Sequence, residues 1–174
     1  MADRGPAPAP RWKLGRTARR TTLVVHIVSA GAWIGIDVMV AVLVLTGWFA
    51  DDPGTRGLAY EALASFVVWP MLGSALVCLA SGILLALATR WGLVRYWWVA
   101  VKLVVNLVLC TLIVVALQPG MAEVQAYGEA LPEGPVGAPA AITTLFFPPA
   151  VSLSALAFAV VLAVVKPWGR VRRS

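Results

Sequence analysis

His26, Ser29, Trp33 and Asp37 lie three, four and four residues apart within an otherwise apolar run. That spacing puts an imidazole, a hydroxyl, an indole and a carboxyl on one stripe of a helix with 3.6 residues per turn. Such a stripe offers acid–base chemistry or ligand binding. A carboxylate in hydrocarbon costs about 2.5–3.5 kcal/mol, so Asp37 needs protein partners. Removal from water favours the protonated acid, which makes Asp37 a candidate general acid paired with Ser74, Ser152 or a backbone carbonyl. His26 is a candidate axial metal ligand, or else a neutral imidazole bonded to a neighbouring helix. A second stripe, Lys102, Asn106 and Cys110, repeats every four residues. By axial rise, His26 lies ~8 Å and Asp37 ~24 Å beyond Thr21, and Lys102 falls near the level of His26. The ligand-binding candidates are therefore His26, Trp33, Lys102 and Asn106, although Lys102 also has the reach to snorkel to the headgroups. Gly31 and Gly35 form a GxxxG pair opposite the polar stripe, suited to close helix approach.

Four apolar stretches must position these groups: 21–48, 66–89, 96–117 and 145–165. Each is long enough to cross a hydrocarbon core of ~30 Å. With 60% hydrophobic residues and a mean hydropathy of +0.86, the chain does not suit a soluble domain. All of the 14 basic residues except Arg56 and Lys102 fall in the N-terminal arm, the second connection or the C-terminal tail. The positive-inside rule then predicts an all-α, four-helix integral membrane bundle with both termini cytoplasmic. Residues 1–20 form a basic arm, 21–169 the bundle and 170–174 a basic tail. The basic residues flank the spans, which favours contact with anionic lipid over nucleic acid. The first apolar stretch is too long for a signal peptide. Cys78 and Cys110 lack CxxC spacing and read as small packing residues.

The connections differ in character. Asp51-Asp52-Pro53-Gly54 is a short turn, and Leu58–Ser65 is expected to start the second helix above the membrane, with Tyr60 and Glu61 near its surface. Pro70 should bend that helix. The segment 118–141 has three glutamates, no basic residue and several Pro and Gly, with a short surface helix expected over Met121–Ala130. On so small a bundle, a connection of this length is a candidate lid or partner surface. Phe146-Phe147-Pro148-Pro149 opens the last helix, since proline is tolerated in a first turn.

The run His26-x-x-Ser29-x-x-x-Trp33-x-Gly35 resembles the first-helix signature of the copper-resistance protein D superfamily, which includes the J-type membrane protoporphyrinogen oxidase. Ser81-Gly82-Ile83-Leu84, Trp91-Gly92-Leu93-x-Arg95-Tyr96-Trp97-Trp98, Lys102 and Lys166-Pro167-Trp168-Gly169 resemble uncharacterised actinobacterial four-helix membrane proteins. The resemblance implies a bacterial plasma-membrane protein with a haem b or other porphyrin site at His26 and Lys102. This chain has a single histidine, so one protomer cannot supply bis-histidine ligation.

Three functional readings follow. One is a redox or porphyrin-binding protein, with Lys102 on a propionate and His26 on the macrocycle. Another is a membrane enzyme acting on an isoprenoid or quinone, with Asp37 as general acid and Trp33, Phe146 and Phe147 lining the pocket. The third is a homo-oligomer or a subunit of a larger membrane complex, assembled through Gly31 and Gly35. A small transporter is disfavoured because no inverted repeat is evident.

Overall fold

The computed structural model of the chain describes residues 14–88, 93 and 96–165. Every element among them is helical: α1 (Arg16–Phe49), α2 (Pro53–Phe66), α3 (Val68–Leu87), α4 (Trp97–Leu112), α5 (Met121–Ala130), α6 (Ala140–Thr144) and α7 (Phe147–Val165). Four helical segments are long and apolar enough to cross a membrane: α1, α3, the run from Trp97 to Glu133, and the run from Ala140 to Val165. Residues 1–13 of the arm, 89–92, 94, 95 and everything from 166 on lie outside the described residues. One boundary moves. The arm was expected to reach residue 20, yet Arg16–Arg20 already belong to α1, because the non-helical Gly15 caps the helix and none of these five residues is a proline or glycine.

The four long helices form a ring in chain order, α1 beside α3, α3 beside α4, α4 beside α7 and α7 beside α1. Their outward faces carry large apolar side chains, among them Ile27, Val28, Val104, Val108 and Val164. An apolar surface that extensive is matched to lipid rather than water.

Two prolines explain where the long helices depart from regularity. The disruption expected from Pro70 falls three residues before it: the regular helix is interrupted at Val67, whose backbone stays right-handed at φ −95° and ψ −47°. Pro70 has no N–H for the Phe66 carbonyl, and its ring crowds that oxygen, so the chain starts α3 afresh. Pro119 acts similarly on the third span. With no N–H to serve the Val115 carbonyl, the backbone over Ile113–Leu117 widens to a π-turn, and the Gln118 N–H donates to the Ile113 carbonyl.

The end of the ring that carries α2 and α5 is capped by that pair. Asp52 starts α2 by accepting from the Thr55 N–H at 2.7 Å and from its hydroxyl at 2.8 Å, with Pro53 in the first turn. Arg56 donates from Nε to the Gly47 carbonyl at 2.9 Å, placing a cation at the negative end of α1. The short helix expected at Met121–Ala130 is present as α5 and crosses α2 where two glycines meet. A Cβ on Gly57 would lie 2.5 Å from the Gly128 carbonyl oxygen, so only glycine permits this approach. Tyr60, expected at the level of the membrane surface, is buried within the protein. It packs over Gly47, and its ring meets Tyr127 edge-on at 5.5 Å.

Candidate functional site: a carboxyl in an apolar pocket

Asp37 is 2% exposed and faces the interior of the ring. Ser152 on α7 donates its hydroxyl to Asp37 Oδ2 at 2.6 Å. Ser74, the other serine expected at that depth, instead donates to its own Met71 carbonyl at 2.8 Å. Beside the Asp37–Ser152 pair lies a cavity of about 300 Å³. All four long helices contribute to its wall, with Met71 from α3, Leu109 from α4, Ile113 from the π-turn and Val151 from α7. Leu112, Phe147 and Val151 line it and are themselves exposed, so it opens laterally between α4 and α7. A mostly apolar hollow with a few convergent polar groups is the usual form of a small-molecule site.

Trp33 lies one helical turn from Asp37, with no exposed surface and an indole Nε1 that finds no hydrogen-bond acceptor. Buried indole N–H groups are normally paired, so this one is unusual.

His26 belongs to a separate cluster toward the uncapped end. Its Nδ1 lies 3.0 Å from the Cys78 carbonyl and 3.0 Å from Ser81 Oγ. A carbonyl only accepts, so Nδ1 carries a proton and Nε2 keeps the lone pair of the neutral ring. Ser29 Oγ donates to the His26 carbonyl at 3.1 Å, and Cys78 Sγ sits 3.7 Å from Nδ1. The imidazole packs against Gly82, where a Cβ would stand 3.1 Å from its Cε1. Lys102 holds its ammonium 4.8 Å from the centre of the Trp98 ring and acts electrostatically on both His26 and Cys78. Farther along α4, Asn106 Oδ1 accepts from Cys110 Sγ at 3.4 Å.

The structure thus places His26 with Cys78 and Ser81, sets Lys102 against Trp98, and leaves Asp37 elsewhere. Neither His26 nor Lys102 lines the Asp37 cavity. One feature of a haem ligand is present at His26, the Nδ1 donation to a carbonyl that orients Nε2. The remaining requirements are not met. The imidazole is pressed against the α3 backbone at Gly82, and the cavity lies beside the carboxyl instead. No three His, Cys, Asp or Glu side chains among the described residues gather to hold a metal. Among the described residues, then, the single imidazole is packed against the α3 backbone and stands apart from the Asp37 cavity.

Gly31 and Gly35 are exposed, with nothing in the chain within 4 Å of an added Cβ, so the pair packs against none of the described helices. Of the three aromatic residues expected to line the pocket, Phe147 does so and Trp33 and Phe146 do not; the rest of the wall was not read from the sequence. Met71, Leu109, Ile113 and Val151 look like any apolar residue of a spanning helix. The available signal was Pro119, which distorts the turn beside them.

Comparison of the chain with family models, with curated proteins and with solved structures finds no match in any of the three.

Proposed function

We propose that this chain is a multi-pass plasma-membrane protein, with both termini cytoplasmic, that binds a small lipophilic molecule in the Asp37 pocket. The carrying observation is the laterally open cavity of about 300 Å³ with a buried carboxyl–hydroxyl pair on its wall. A molecule dissolved in the bilayer enters between α4 and α7, buries its apolar body against Leu109, Ile113 and Val151, and meets Asp37 with its polar group. The bacterial membrane and the orientation follow from the charge distribution and the family resemblance.

The test is native mass spectrometry of the full chain released from lipid nanodiscs. The expected result is an adduct of small-molecule mass that survives in the parent. Asp37→Asn should weaken it at least about tenfold, the scale of losing one charge-assisted hydrogen bond. Val151→Trp, which fills the mouth, should remove it. A parent that carries no adduct and takes up no prenol, quinone or alkyl amphiphile would end this reading.

Catalysis at the same place is the second reading, favoured by the position of Asp37 on the cavity wall. There the carboxyl acts as general acid toward an isoprenoid or quinone, and Asp37→Asn abolishes turnover while substrate still binds. Assembly is compatible with both readings, since the exposed Gly31 and Gly35 offer α1 a flat face for a helix of another chain.

A further inference from the structure

We infer that the ligand of the Asp37 pocket is a lipophilic organic cation, bound in exchange for the carboxyl proton; this rests on the pocket reading above. The groups facing Asp37 decide the point. Packed around it are Met71 from α3, Leu109 from α4, Ile113 from the π-turn and Ser152 from α7, none of them charged. Among the described residues no charged side chain acts on the carboxyl. An anionic or phosphorylated head would enter beside an acid with no cation to receive it. A neutral head can hydrogen-bond to the carboxyl but leaves the charge of a carboxylate uncompensated. A buried carboxylate away from water is best satisfied by a positive partner. The exposed ring of Phe147 at the mouth adds an aromatic face, which attracts an alkylammonium.

The charge distribution of the chain agrees. Apart from Asp3 and Asp37, every acidic residue lies in the segments at the capped end: Asp51, Asp52, Glu61, Glu123, Glu129 and Glu133. Arg56 is the single base there, and its guanidinium is engaged by the Gly47 carbonyl. A field of this sign concentrates cations and repels anions. In the exchange, a carboxyl that holds its proton passes it to bulk water as the cation arrives, leaving a carboxylate beside the bound charge. Proton release per cation therefore grows as the pH is lowered, up to one.

The experiment uses the full chain in lipid nanodiscs and two probes of equal chain length, n-octyltrimethylammonium and n-octanol, titrated calorimetrically against empty nanodiscs. The ammonium head is permanently charged, so any proton released comes from the protein. The expected result is saturable binding of the cation, proton release that grows toward one per cation as the pH is lowered when two buffers of different ionisation heat are compared, and weaker binding as the pH falls. Asp37→Asn should lower cation affinity at least about tenfold and octanol affinity by much less, and the octanol that still binds shows the pocket intact. If Asp37→Asn loses both probes, the parent pH profile decides, and a cation affinity independent of pH overturns the inference. Unchanged cation binding in Asp37→Asn overturns it as well. Octanol binding without cation binding overturns the cation assignment and leaves the pocket reading standing. Failure of both probes to exceed empty nanodiscs removes both.

Discussion

Trp33 and His26 sit on the same helix stripe yet do different work. Trp33 fills the middle of the ring, so Trp33→Ala should cost about 3–5 kcal/mol, read as a lower midpoint in denaturant unfolding of the micellar protein. Trp33→Phe should cost less, because the indole N–H it removes has no partner. At His26 the sensitive neighbour is Gly82. Gly82→Val should push the imidazole off the α3 backbone and lower the thermal midpoint, whereas Gly31→Val, with open space around it, should leave the monomer's midpoint unchanged. Some of this was readable from residue types alone. The rise along a helix put Ser152 and Ser74 at the depth of Asp37, and Ser152 is the partner. Choosing between them required the rotation of α3 about its axis, which turns the Ser74 hydroxyl to its own backbone. Tyr60 eluded the same reasoning, because its burial depends on a helix that follows it by some sixty residues.

Among the elements, the cap is where sequence and geometry are most tightly linked. Gly57→Ala or Gly128→Ala places a methyl against the backbone of the facing helix, and separating α2 from α5 should cost about 1–3 kcal/mol. Faster amide exchange confined to 53–66 and 121–130 is the expected signature. The α2 cap is also pH-sensitive. Hydrogen bonds from the Thr55 hydroxyl and N–H hold the Asp52 carboxyl below its ordinary value. A depressed folded value means that the cap is complete above the usual aspartate range and is lost as pH falls through the lowered value. The Thr55 amide resonance, followed on acidification, should therefore shift at lower pH than that of a free aspartate peptide. Pro70 was legible as a disruption, and it falls at Val67 because the carbonyl left without a partner is that of Phe66.

For the whole molecule, charge asymmetry and span length were enough to anticipate four apolar helices, because both are sums over many residues. The ring order and the pocket depend on which faces meet, and a sequence without cross-helix pairs does not encode that visibly. Orientation is the global property still to be measured. In right-side-out vesicles, a cysteine placed at Glu129 should react with an impermeant maleimide and one at Arg170 should not, with Cys78 and Cys110 replaced by Ala beforehand. The opposite pattern would invert the proposed topology. It would also place the acidic cap on the cytoplasmic face.

The widened turn over Ile113–Leu117 has a consequence for everything downstream of it. A π-turn holds one residue more than an α-turn, so it absorbs one residue without turning the helix that follows. Deleting Val114 would therefore let that stretch wind regularly and leave Tyr127 and Gly128 facing Tyr60 and Gly57. A residue added at the same place has no turn left to absorb it; it would rotate the following helix by about 100° and unlatch the lid of the ring although no residue in the lid had been changed.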